Sequence, residues 1–435
     1  MTMATIQLPV KRTADRNPSM DDSRFTDSLW APLRFPAFRW LWLGALAMNL
    51  AIWMQSVGAA WVMVSLTTSP LLVALVQTAI SLPSFLFGLP GGVFADVFDR
   101  RNYLLVTHSA MLASAVVLVI CCALGWLGPW TLLFLTFAFG IGFAMQGPAW
   151  YTSQAESVPM AFMGSAMALS SVSYSSARAV GPAIAGGLVS VSGVTMVFAA
   201  CGLLLSGSLL AVMTLRSPPR DTSAPAQTLR SGLAGAVSFA RNSRVIRDQS
   251  LRTVAFVGAG SALWALLPVV ASESAGAGGY GMLLGSIGAG TLFGALVITG
   301  LRQRMGINGM LALACAAYTL GTVVLALISD VWLQAPALFL AGIGWMLIGT
   351  SNLAAIQMAV PSHVRARSVA IYMLVFQGSM AIGGAFWGLV AIQTGTRIAL
   401  LLAAAMTVFA LWVMYRLAIP AASSSSDAAL EPSAR

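Results

Sequence analysis

One arginine sits where charge is expensive. Arg178 lies well inside an apolar run of membrane length, ~24 Å along a helix from the start of that run at 1.5 Å per residue. The sequence places no other charge so deep in a run. A charge at such depth costs at least ~2.5–3.5 kcal/mol and usually faces a cavity or a partner. Two chemistries fit: a guanidinium that holds an anion or works as a gate, or a structural arginine bonded to helix carbonyls or to a carboxylate such as Glu273. Both stay open at this point. Around it runs Tyr174-x-x-x-Arg178-x-x-Gly181-Pro182-x-x-x-Gly186-Gly187. Its proline and glycines permit a kink and close contact with a neighbouring helix.

Proton chemistry has few carriers. His108, about two turns into its run, is the deeper of the two histidines and can titrate near neutral pH. It is the candidate proton site, against the alternative of a packed structural imidazole. Asp96, Asp99 and Glu156 fall at one surface and Glu273 and Asp330 at the other, with Asp248 in a polar stretch. The sequence has no HExxH and no GxxxxGK[ST], so no metal, nucleotide or other cofactor is expected, and no enzyme.

The densest polar stretch within the apolar regions is Gly88–Arg101, GLPGGVFADVFDRR, which separates two of the runs. It holds Gly92, Asp96, Asp99, Arg100 and Arg101. Asp96 ends the preceding helix, where the dipole disfavours an anion, so it needs Arg100, Arg101 or another helix N-terminus as a partner. Asp99 can cap the helix that follows.

The elements that carry these residues are apolar throughout. Hydrophobic residues make up 58% of the chain and charged residues 8%, which together specify a polytopic membrane protein. Runs of about 20 residues number twelve, at 38–66, 70–95, 102–124, 130–153, 163–190 and 194–215, then 251–272, 280–300, 308–329, 331–358, 366–393 and 397–418. The formal charge of +10 comes from arginines and a lysine gathered in alternate loops, the positive-inside pattern, so no nucleic-acid partner is implied. An even count with this bias puts both termini in the cytoplasm. The expected divisions are a tail at 1–37, a six-helix bundle at 38–216, a linker at 217–250, a second bundle at 251–418 and a disordered tail at 419–435. Within the linker, Arg230–Arg247 can be written as a basic amphipathic helix on the inner leaflet. The four cysteines lie inside apolar runs, so no disulfide framework is expected.

The halves repeat. A shift of 202 residues places Gly88 on Gly290, Gly92 on Gly294, Arg100 on Arg302, Gly181 on Gly383 and Gly186 on Gly388. Ile298 stands in the place of Asp96, so any latch at that loop is asymmetric. With the loop Gly92-x-x-x-Asp96…Asp99-Arg100-Arg101 and the glycine–proline stretch of the fifth run, the chain resembles the major facilitator superfamily. Leu33-Arg34-x-x-x-Phe38-Arg39, Glu156-Ser157-Val158-Pro159, Val364-Arg365-Ala366-Arg367 and Tyr372–Gly378 are similar to its exporter branch, the transmembrane secretion effectors. Val97 and Asp99 depart from the fuller loop pattern, which commonly has a basic residue and a glycine there.

The resemblance implies an all-α protein of twelve transmembrane helices in two pseudo-symmetric six-helix bundles, and a role for the loop as a gating latch. It also implies a bacterial inner-membrane exporter of a small hydrophobic or amphipathic compound, drug-like or a siderophore, working by alternating access with proton antiport. Its expected partners are lipid, that small molecule and protons. The central cavity would draw on Asn49, Trp53, Gln55, Gln146, Trp150, Tyr174, Trp264, Asn352, Phe376 and Gln377. Import or facilitated diffusion of a metabolite, or a sensor that moves nothing, are the competing readings.

Overall fold

The computed structural model describes residues 28–215, 243–360 and 362–417, without the side chains of Asp96, Ala359 and residues 362–367. Eleven long helices make up almost all of it, and the described residues form no strand. They are α1 (Pro36–Leu66), α2 (Pro70–Val97), α3 (Arg100–Ala123), α4 (Pro129–Glu156), α5 (Met163–Ser192) and α6 (Val194–Met213), followed by α7 (Arg244–Ser274), α8 (Gly276–Leu327), α9 (Val331–Ala359), α10 (Ser362–Thr394) and α11 (Thr396–Arg416). Ten of them are long and apolar enough to cross a membrane. The exception is α5, whose eight serines, Tyr174 and Arg178 dilute its apolar content.

Proline starts α1, α2 and α4 within their first turn, where its missing N–H has no helical partner to lose. Asp99 caps α3 by accepting from the backbone N–H of Asn102, and Asp330 caps α9 through Trp332 N–H. Chain reversals at Gly193 and Gly395 use φ of 78° and 87°, open to glycine at little cost.

The 52-residue α8 is a hairpin. Gly306 interrupts it at φ 68° and ψ 176°. Both arms lie against α9: a Cβ on Gly290 would strike the Phe339 carbonyl, and one on Gly321 would strike Ala341 and the Ala337 carbonyl. Residues 31 apart on a straight helix would be ~47 Å from one another, so the arms fold back at Gly306.

The boundary at the end of the expected linker shifts. α7 begins at Arg244, so the last residues of the expected 217–250 linker are helical. The expected amphipathic segment Arg230–Arg247 lies outside the described residues except for its last five, four of which open α7. The expected tails at 1–37 and 419–435 lie outside them as well, apart from 28–37, where Ala31–Arg34 forms a short 3-10 turn.

The two sets of helices meet along two seams. In one, α5 packs on the first arm of α8, with Gly186 backed against Gly281 and Gly288 against Ala179. In the other, α2 packs on α10, where Gly384 and Gly388 face Thr78 and Ala74 and the Thr78 hydroxyl donates to the Ala381 carbonyl at 2.8 Å. Both seams lie toward the end of the molecule where α1 finishes, termed the far end. Trp61 of α1 stacks on Tyr280 of α8 there, with ring centroids 6.3 Å apart. The near end is where α1 begins.

Candidate functional site

Two chambers lie between the halves. The inner one, about 180 Å³, is lined at mid-helix by Trp53, Gln55, Gln77, Ser81, Thr136, Tyr174, Arg178, Trp264, Trp345, Phe376 and Gln377, among others. The second, about 610 Å³, extends toward the near end past Asn49, Gly88, Gln146, Trp150, Tyr151, Gln154, Gly349 and Thr350. Phe143, Tyr174, Arg178, Trp345, Phe376 and Gln377 line both, so these side chains form the waist.

Arg178 is the centre of that waist. Its guanidinium carbon lies 5.3 Å from the ring centroid of Trp53 on α1 and 5.3 Å from that of Trp264 on α7. The cation is thus shared between an indole of each half. Such contacts contribute ≈0.5–2 kcal/mol apiece, more when desolvated, which offsets part of the cost of the charge. Tyr174, one turn before, meets Trp53 edge to face at 6.2 Å. No described residue forms an ion pair with Arg178, neither Glu273 nor any other, and its Nε has no hydrogen-bond acceptor. The two partners foreseen for a purely structural arginine, carbonyls or a carboxylate, are therefore not what it touches.

The wall on the second half is aromatic. Trp345 of α9 lies within 5.6–5.8 Å of Phe256, Trp264, Tyr318 and Phe376, measured between ring centroids. Polar groups dot the first half. Gln55 is buried with neither amide atom bonded, Thr136 Oγ1 is unbonded, and Gln77 Nε2 donates to Ser81 Oγ at 2.9 Å. Nearer the near end, Asn49 Nδ2 lies 3.4 Å from Ser173 Oγ, and Gln154 Oε1 accepts from Ser170.

Nine of the ten expected cavity residues line a chamber. Asn352 does not. The α9 stripe that faces the second chamber is Met346, Gly349, Thr350 and Leu353; at about 100° per residue Asn352 points to one side of it, buried. His108 lines neither chamber. It is fully buried behind Trp150, stacked at 5.1 Å, with Nδ1 held 2.9 Å from the Leu104 carbonyl of its own helix.

Sequence reasoning missed Arg252. It sits two turns into α7, 3% exposed, with Nε unbonded, so Arg178 is not the only charge inside a helix. It was hidden among the basic residues of the linker because α7 starts earlier than its hydropathy suggests. Gln77 and Ser81 on α2 were missed too, although a glutamine four residues before a serine in an apolar run is a visible signal.

The loop after α2 ties down its own half. Arg100 pairs with Glu156 at the end of α4, and Arg101 Nη2 donates to the Met213 carbonyl at the end of α6 at 3.3 Å. Gly92 makes no close approach, and the side chain of Asp96 lies outside those described. In α5, Gly181 and Pro182 are buried: a Cβ on Gly181 would meet Trp53 Cβ at 2.9 Å. Gly181 therefore brings α1 close enough for Trp53 to reach Arg178, and Gly186 makes the seam with α8. Gly187 faces open space.

Paired bundles meet at a waist whose side chains line both chambers. The family model for transmembrane secretion effectors matches residues 27–434. The chain belongs to that family. No curated protein sequence matches it. Solved structures that this secretion-effector chain resembles include a variant of the nucleoside transporter NupG, at TM-score 0.71 and 15% identity, with 88% of this chain and 99% of that one covered. A bacterial homologue of the human lysosomal transporter Spinster, inward-facing and unoccupied, matches at TM-score 0.66 and 17% identity over 88% and 97% of the two chains. A D-xylose–proton symporter matches at 0.66 and 14% over 88% and 97%. The fold is that of the major facilitator transporters.

Proposed function

We propose that this chain is a secondary active exporter that moves a small hydrophobic or amphipathic compound, drug-like or a siderophore, by rocking two six-helix halves around the waist at Arg178. The observation that carries this reading is the asymmetry of closure. Glycine seams bring the halves together at the far end, while the wider chamber extends toward the near end. One arrangement of an alternating pair has this form, and Gly186–Gly281 and Gly388–Ala74 are contacts that must part in the other.

Twelve crossings follow when α5 and each arm of α8 are counted as spans beside the other nine. Arg34, Arg39, Arg100, Arg101, Arg244, Arg247, Arg302, Arg304 and Arg416 all cluster at the near-end termini of helices, which supports a cytoplasmic near end in a bacterial inner membrane. The loop at Gly92, Asp96, Asp99, Arg100 and Arg101 is proposed to latch the halves when the near end closes. Its described contacts within one half fit the released state. Proton antiport rests on the family resemblance; no described carboxylate lines either chamber.

The test is flux in proteoliposomes of purified protein, with a panel of cationic dyes, neutral drugs and anionic siderophores, with and without a proton gradient. Gradient-dependent movement of one class toward the far-end side is expected. Movement only in the opposite direction would favour a metabolite importer. Binding without flux for any class would favour a sensor.

A further inference from the structure

The waist is short of acceptors. Arginine and the indole N–H can only donate hydrogen bonds. Arg178 lines both chambers, Trp53 and Trp264 flank it, and no described acceptor bonds Arg178 Nε or Trp53 Nε1. The cation–π contacts with the two indoles supply no hydrogen-bond acceptor to the guanidinium. Neither chamber has a described Asp or Glu in its lining to answer that charge. A ligand that displaces solvent here has to bring acceptors and a negative charge, and the Trp345–Phe376 wall gives its remainder an apolar, aromatic surface.

We propose that the inner chamber binds an organic monoanion, a carboxylate or sulfonate on an apolar body, with Arg178, held between the indoles of Trp53 and Trp264, as its counter-ion. This deepens the transport reading and rests on it for what happens after binding. Because Trp53 belongs to the first half and Trp264 to the second, the anion docks on the joint between them. Binding and the relative position of the halves are therefore linked. A cationic amphiphile, by contrast, would have to enter beside an unneutralised guanidinium.

The experiment titrates full-length purified protein with three compounds of one skeleton: phenylbutyrate, phenylbutyramide and phenylbutylamine, read by tryptophan fluorescence. A charge-assisted contact in a desolvated site predicts that the carboxylate binds at least about tenfold tighter than the amide, with the amine weakest. Arg178→Gln should bring the carboxylate down to the level of the amide, and Arg178→Lys should keep the order. Binding of the amide or amine as tightly as the carboxylate, no binding of the carboxylate, or an unchanged preference in Arg178→Gln would each overturn the proposal. Should Arg178→Gln not fold, the wild-type order and Arg178→Lys still decide. Flux of the same compounds separates this claim from transport. Amine flux without carboxylate binding would sink the anion site and leave the transporter standing. Arginine-dependent carboxylate binding without flux of any compound would do the reverse.

Discussion

A guanidinium in a membrane helix needs compensation, and at Arg178 it comes from indole faces on two other helices. Replacing Trp264 by leucine removes one of these faces. The expected loss is about 1–2 kcal/mol in carboxylate binding, roughly five- to thirtyfold, with Trp53→Leu similar. A double-mutant cycle between Trp264 and Arg178 should return coupling of that size; additive effects would mean that the ring and the cation act independently. His108 has the opposite character: fully buried behind Trp150, it lines neither chamber. His108→Gln should leave the pH profile of flux unchanged, and a displaced profile would put the imidazole on the proton path. Arg178, Trp53 and Trp264 were legible in the sequence because charge and large aromatics are conspicuous inside apolar runs. Their mutual contact was not, since it joins α1, α5 and α7 through tertiary packing. Asn352 was misjudged because polarity in a run says nothing of which way the helix turns it.

Glycines set how close the helices come. Two of the pairs that share the 202-residue offset have equivalent tasks, while Gly88 faces open space where Gly290 packs on α9: Gly181 seats α5 on α1 at Trp53, and Gly383 seats α10 on α7 at Ser261. Likewise Gly186 meets α8 and Gly388 meets α2, so each seam at the far end has a glycine from one half pressed on the other. The offset in the sequence found the pairs but not their partners, because identical spacing fixes helix phase and leaves the neighbour unnamed. A methyl group on Gly186 would lie 2.7 Å from the Gly281 Cα, against backbone that cannot rotate away. Overpacking of this kind costs about 1–3 kcal/mol. In a two-state carrier the cost falls on the far-closed arrangement alone, so Gly186→Ala should move the balance about 5- to 150-fold toward the far-open one. Faster maleimide labelling of a cysteine at Ile80, which lines the inner chamber, from the far side would register it. Unchanged labelling with a folded protein would mean that the seam does not open.

At the scale of the molecule, two bundles enclose a waist that one side reaches more freely than the other. Composition and run length made the membrane class readable at once, since apolar spans of about 20 residues are satisfied by helices. The state of the carrier was beyond such reading, because sequence is common to both arrangements. The direct test of alternating access is a pair of spin-label distances in a cysteine-replaced background: Tyr151→Cys with Met373→Cys at the near end, and Leu66→Cys with Trp332→Cys at the far end, all exposed positions on opposite halves. In going from wild type to Gly186→Ala, the near-end distance should shorten as the far-end distance lengthens. Distances that stay fixed, or that change in the same direction at both ends, would contradict a rocking carrier.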